Sequence, residues 1–260
     1  MQGVVVERDD RGVVTITLDN PARKNAISGD MFVGLRVAFR EITERPADRV
    51  VILTGRGDAF CSGADLSPAL DGERERLHIL YSMRNIGETA LALSQLHQPV
   101  IAKINGIAVG AGLNLALGCD LIYASDRARF GEIFARRGLS IDFGGSWLLP
   151  RLVGMHKAKE LALLADVIDA AEAERIGIVN RVVAHAELDA YVDNIAGRLA
   201  TGPPIALGMT KRLLNQAHDV TFPQALEAEA MAQAVNGATE DTPEAIRAFL
   251  EKRTPTFRGR

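Results

Sequence analysis

Two segments built the same way constrain this chain more than anything else in it. The apolar run Val50-Val51-Ile52-Leu53 leads into Phe60-Cys61-Ser62-Gly63-Ala64-Asp65-Leu66. Likewise Val100-Ile101-Ala102 leads into Asn105-Gly106-Ile107-Ala108-Val109-Gly110-Ala111-Gly112. In each, a strand-like run ends in a turn of small residues and a helical pattern follows. Small residues let backbone N–H groups approach a ligand closely, and a helix start favours negative charge. Two such N–H groups converging on one carbonyl oxygen make an oxyanion hole, often the largest electrostatic term in acyl chemistry. The plainer reading is that both segments are tight turns that let strand and helix pack.

The rest of the chain repeats this grammar. Val4–Glu7 and Val13–Leu18 read as a hairpin turning at Asp9-Asp10-Arg11-Gly12, and Asp19-Asn20-Pro21 ends the second strand. Ser28 can cap a helix over about residues 29–44. Residues 74–96 carry helical apolar spacing, Val100–Ile104 is a short strand, Gly112–Leu117 opens a helix, and Asp120–Ala124 is a third strand. Repeated strand–turn–helix units of this length predict an α/β fold with parallel pairing. Beyond about residue 198 the texture turns helical, with helices expected over 203–217, 223–236 and 243–252. Thr242-Pro243-Glu244 reads as the start of the last one. Three such helices make little core alone, so they are expected to pack on a neighbouring subunit or across the main domain.

Composition narrows the function. Among 260 residues, 30 Lys and Arg stand against 33 Asp and Glu, a net charge of −3 that gives no reason to expect nucleic acid. Cys61 and Cys119 form no metal-ligand spacing and fit a reduced, cytoplasmic setting. Glu7, Arg8, Asp9 and Asp10 stand where a secretory signal would need an apolar core, and no run reaches membrane-spanning length. The histidines show no paired spacing and no Ser or Cys partner, which points to surface or packing roles.

Leu18-Asp19-Asn20-Pro21-Ala22-Arg23-Lys24-Asn25-Ala26, Leu53-Thr54-Gly55, the two glycine segments, Cys119-Asp120 and Ala128-Arg129-Phe130-Gly131 follow one another in order. Gly144-Gly145, Leu149-Pro150-Arg151-Leu152-Val153-Gly154, Ala170-Ala171-Glu172-Ala173 and Gly177-Ile178-Val179-Asn180 complete the series. In this order they resemble the enoyl-CoA hydratase/isomerase (crotonase) family over essentially the whole chain. The resemblance implies a spiral of ββα units at residues 1–198 holding an acyl-CoA site. It also implies a helical region at 199–260 that builds trimers, often paired into hexamers. The implied ligand is an acyl-CoA thioester of fatty acid metabolism, with coenzyme A part of the substrate and no separate cofactor or metal. The backbone N–H groups of Ala64 and Ala111 would form the oxyanion hole, Ala111 standing where many relatives have the middle glycine of a triple-glycine run. Arg23, Lys24 and Ala26 lie in the loop that in relatives follows the nucleotide phosphates, and Lys252 matches a basic position near the C-terminus. Phe249 would pack on acyl group or adenine, while Ser62, Asp65 and Leu66 would line the pocket mouth.

The chain departs from the hydratases of that family at the two glutamates that handle water, which fall on Asn114 and Phe134. Neither can be a general base. Asp142, in Gly138-Leu139-Ser140-Ile141-Asp142-Phe143-Gly144-Gly145, matches a position where isomerase-type relatives carry a catalytic carboxylate. One carboxylate suffices for a 1,3-proton shift, and a pocket lined by Phe134, Phe143 and Trp147 would raise its pKa toward a useful value. Asp142 also stands just before a helix start and can be read as a cap. Glu132, beside Phe134, reads as a solvated loop residue unless the loop turns it into the pocket. The sequence therefore predicts an isomerase with Asp142 as acid/base. A hydratase (lyase) with water held by Asp142 and Asn114 is the alternative, and a non-catalytic acyl-CoA-binding relative a second one.

Overall fold

A computed structural model describes residues 2–67 and 79–260. Strands β1 (Val4–Arg8) and β2 (Val13–Leu18) form the antiparallel hairpin, turned by Gly12 at φ +81°. Helix α1 (Gly29–Thr43) follows, its first turn capped by the Ser28 hydroxyl, which accepts from Met31 N–H.

From there the chain winds as a spiral whose turns each give one strand to each of two sheets. Strand β3 (Val50–Gly55) joins the first sheet and β4 (Ala59–Cys61) the second. Helix α2 (Ile79–Ser94) returns the chain, and the earlier part of the helix expected from residue 74 lies outside the described residues. Strand β5 (Val100–Ile104) enters the first sheet, β6 (Ile107–Val109) the second, and α3 (Ala111–Leu117) leaves β6. Strands β7 (Leu121–Ser125) and β8 (Arg129–Gly131) repeat the step. Helices α4 (Gly145–Val153), α5 (Met155–Leu164) and α6 (Ala170–Arg175) follow, with β9 (Ile168–Asp169) closing the second sheet and β10 (Arg181–Val183) the first. The first sheet runs β1-β2-β3-β5-β7-β10, the second β4-β6-β8-β9.

The apolar runs are continuous because the first sheet is buried on both faces. Val14, Ile16, Val51, Leu53, Val100 and Ala102 face the main core with α1 and the second sheet. Alternate residues Val13, Val50, Ile52 and Ile101 face the opposite side, which α7 (Leu188–Ala200) covers with Leu188, Val192 and Ala196.

Helices α8 (Pro204–Gln216), α9 (Phe222–Gly237) and α10 (Asp241–Glu251) match the three expected at the C-terminal end. The start of α10 differs from expectation. Thr242 lies inside its first turn with its hydroxyl on Asn236 O, and the Asp241 carboxylate is turned to the tail, accepting from Arg258 N–H (2.6 Å) and Gly259 N–H (2.9 Å). Arg49, at the head of β3, donates to Gly202 O and Phe257 O, which fastens this region to the spiral.

Candidate active site

Strands β4 and β6 are parallel neighbours, so the turns leaving their C-terminal ends lie side by side. Gly63 (φ +101°) and Gly110 (φ +55°) hold backbone shapes that a Cβ disfavours. A Cβ on Gly63 would sit 3.2 Å from Val109 O and 3.8 Å from Ala111 N, which measures how closely the turns approach. Ile27 N–H donates to Gly63 O and Asp65 N–H to Ile27 O, so Ala64 N–H faces away from that pairing. Ala111 is the first residue of α3 and its N–H is one of the helix's orphan donors. Among the described residues, neither Ala64 N–H nor Ala111 N–H donates to a protein acceptor. Ala111 needs no glycine because the left-handed backbone falls on Gly110. Gly112 is small for packing: a Cβ there would lie 2.5 Å from Cys61 O. Burial pushes the Cys61 thiol up to about 12, which rules it out as a nucleophile at neutral pH.

The early loop is sewn to these turns. Buried Asn25, itself left-handed at φ +56°, donates to Arg56 O and Ala59 O, and Ser62 N–H donates to Lys24 O. Ser62 Oγ donates to Arg23 O, and Ala26 is buried beneath. Arg23 pairs with Asp65 at 2.6 Å and Lys24 with Asp58 at 2.5 Å, all near the surface beside exposed Leu66. Ion pairs at the surface are weakly held, so either cation can exchange its carboxylate for a phosphate.

Asp142, Asn114, Glu132 and Phe134 meet behind the turns. The 3₁₀ turn Ile133–Arg137 leaves β8 and sets the Phe134 ring about 3.8 Å from the Cβ position of Gly110. Asn114, fully buried on α3, donates from Nδ2 to Asp142 O at 2.9 Å and to Glu132 Oε2 at 3.4 Å. Helix α4 has no side-chain cap: Gly145 N–H is held by the backbone carbonyl of Asp142. The capping reading therefore fails. The carboxylate's Oδ1 is buried and accepts nothing among the described residues, and burial pushes Asp142 up to about 6. Phe143 (φ +49°) and Gly144 (φ +81°) are consecutive left-handed residues that make the turn, and Phe143 rests on Phe32 with ring centroids 6.0 Å apart.

Glu132 is drawn in against Asn114 and is not the solvated loop residue expected from its sequence context. It is fully buried, and burial, reinforced by the nearby Asp142 charge and opposed by the Asn114 hydrogen bond, pushes it up to about 8. The pairing of β6 with β8 places it: Val109 pairs with Gly131, so the residue after β8 emerges level with Gly110. The other expected residues lie apart. Trp147 lines a separate cleft of about 800 Å³ beside α1, α2 and α8, with the Arg151 guanidinium 3.7 Å over its ring. Phe249 and Lys252 stand at the end of α10, which packs chiefly on α9, and Phe249 is 81% exposed.

Two free amides, and a half-buried carboxylate without a protein partner among the described residues, are groups that can hold a developing oxyanion and move a proton. The family model for enoyl-CoA hydratase/isomerase matches residues 8–260. A "probable enoyl-CoA hydratase" of Rhodobacter capsulatus is 40% identical over 250 residues, covering 96% of this chain and 95% of the relative. The "1,2-epoxyphenylacetyl-CoA isomerase" of Escherichia coli is 34% identical, with 100% of each chain covered. The crystal structure of an enoyl-CoA hydratase from Bacillus anthracis superposes with a TM-score of 0.94 at 36% identity, covering 100% of both chains. Fold, turns and sequence together establish that this chain belongs to the enoyl-CoA hydratase/isomerase family, an acyl-CoA-processing group of enzymes of crotonase fold.

Proposed function

We propose that this enzyme moves a double bond in an enoyl-CoA thioester, with Asp142 as its acid/base. The Asp142 carboxylate takes a proton from C2, and the electron pair passes into the thioester carbonyl as an enolate held by Ala64 and Ala111 N–H. The same proton returns from Asp142 to C4 as the enolate collapses, so that the C3=C4 double bond becomes C2=C3. Charge and atoms balance within the substrate, and no cofactor enters.

The observation that carries this reading is the Asp142 carboxyl itself. It is half-buried, caps nothing, and lies where Asn114 and Phe134 replace the two water-handling glutamates. A pKa raised to about 6 suits a group that both accepts and returns a proton near neutrality. The isomerase name of the Escherichia coli relative supports it. Hydration is the second reading, supported by the "crotonyl-CoA hydratase" of Syntrophomonas wolfei at 35% identity. It is weaker because both contacts of the Asn114 amide nitrogen are to protein oxygens. The coenzyme A tail is proposed to run past Arg23 and Lys24. Residues 199–260 are proposed to assemble the trimer, with Phe249 and Lys252 reaching a site from there. Free thiols at Cys61 and Cys119 support a cytoplasmic setting.

The test offers 3-enoyl-CoA and 2-enoyl-CoA to the wild type and follows migration and hydration separately. Migration without hydration supports the proposal. Hydration of 2-enoyl-CoA as the faster reaction would overturn it in favour of the lyase. Tight acyl-CoA binding without turnover of either would point to the non-catalytic relative.

A further inference from the structure

Asn114 Oδ1, Glu132 Oε1 and Asp142 Oδ1 are three buried oxygens without a hydrogen-bond partner among the described residues, and Asn114 links all three residues. The orientation of Asn114 is not free. Its nitrogen faces the backbone carbonyl of Asp142, which can only accept, so Oδ1 must point elsewhere. Gly145 closes another side: a Cβ there would lie 2.4 Å from Asn114 Nδ2 and Oδ1. The Asn114 amide nitrogen serves Glu132 Oε2 and Asp142 O, which leaves the three unpartnered oxygens without a donor, and a buried acceptor without a donor is costly. An ionised Glu132 would carry a charge with no cationic partner among the described residues on a side chain that has no solvent exposure.

We propose that Glu132 is held as a neutral carboxylic acid against Asn114 and is a positioning residue, keeping the Asp142 turn in place with a single negative charge beside the substrate. The proposal rests on Asp142 being the acid/base. Burial, which pushes Glu132 up to about 8, agrees with the donor count. Asp142 is the charged group coupled to it. On its own element Arg136 pairs with Asp166, and Arg137 is exposed. On α5, Lys157 pairs with Glu160 while His156 and Lys159 are exposed, and on α6, Glu172 pairs with Arg175. Loss of the Glu132 proton would place a second negative charge next to Asp142.

The test compares wild type, Glu132→Gln, Glu132→Ala and Asp142→Asn on 3-enoyl-CoA between about pH 6 and about pH 9.5, with melting and CoA binding as fold controls. Glutamine copies the shape and donor of the neutral acid. Glu132→Gln is expected to stay within about threefold of wild-type kcat at neutral pH and to lose the alkaline decline of the wild type. Glu132→Ala is expected to lose about tenfold or more in kcat with KM little changed. A glutamine variant as poor as alanine, or an alkaline decline unchanged in it, would overturn the proposal. Infrared difference spectroscopy reads the same point without turnover, and this arm survives if the alanine variant does not fold. A protonated-carboxyl band that titrates near pH 8 and vanishes in Glu132→Gln is expected, and its absence from the wild type overturns the proposal on its own. An active Asp142→Asn enzyme would instead overturn the acid/base reading, and the positioning role with it, whatever the band shows.

Discussion

Phe143 occupies a left-handed backbone that costs a phenylalanine about 1–2 kcal/mol, and its packing on Phe32 offsets that cost. The strain falls next to Asp142, where backbone departures from the easy regions tend to mark function. Asp142→Asn is expected to lower migration about 10²–10⁴-fold while leaving CoA binding intact, measured by steady-state rates and calorimetry. Stability should carry the same signature. Glu132 (about 8) and Asp142 (about 6) both lie above the ordinary carboxyl range in the folded chain. As pH rises the unfolded chain releases these protons first, so the folded form holds more of them and loses stability. Its melting temperature should fall as pH climbs from about 4 to about 8, and Glu132→Gln should flatten the upper half of that slope. Parallel slopes in the two proteins would show that Glu132 titrates normally. From the sequence, Ala64, Ala111 and Asp142 are named by resemblance to the family, whereas the two glycine-rich turns could be singled out because they follow a local pattern, small residues after a strand. The state of Glu132 could not, because its burial comes from β6, α3 and the Asp142 turn, all distant along the chain.

The strands and helices were legible to within a residue or two wherever their pattern was local. Val100–Ile104 and the Ser28 cap follow from period and capping chemistry alone. The division of strands between two sheets did not follow, since β3 and β4 are three residues apart and only the turn at 56–58 sends them to different sheets. The start of α10 was misread because Asp241 serves the tail, a contact no local window contains. Part of the glycine signal also belonged to packing. Gly106 is needed because a Cβ would sit 2.0 Å from Asp58 O, and Asn105 donates to Gly55 O and Gly57 O across the same gap. Gly106→Ala is therefore expected to destabilise the protein by about 1–3 kcal/mol in chemical denaturation. Gly87→Ala, on the exposed face of α2 with nothing within 4 Å, is expected to stabilise by about 0.5–1 kcal/mol. If both changes were neutral, the tight fit between the β3–β4 turn and Gly106 would be refuted.

At the scale of the molecule, α9 and α10 present Phe222, Leu226, Met231, Val235, Ile246 and Phe249 to solvent in the single chain. Exposed apolar residues in this number support the proposed assembly role of the region. Light scattering at micromolar concentration is expected to give a trimer or a multiple of it, and Met231→Glu is expected to shift the population to smaller species. A monomeric wild type would refute the assembly role of residues 199–260. Within one chain, this region is fastened through Arg49, whose guanidinium reaches both Gly202 O and Phe257 O. The catch at Asp241 has its own consequence for how the sequence can drift. It grips backbone amides, so the Arg258 side chain is free to vary to anything but proline. Gly259 is not free: its left-handed backbone (φ +74°) and a Cβ position 2.5 Å from Pro204 Cγ exclude a side chain. Asp241 is least free of all, because asparagine would turn a two-handed acceptor into a partial donor facing two donors. Three neighbours in space thus obey three different rules of substitution, and a library randomised at 241, 258 and 259 would recover that hierarchy as its pattern of survivors.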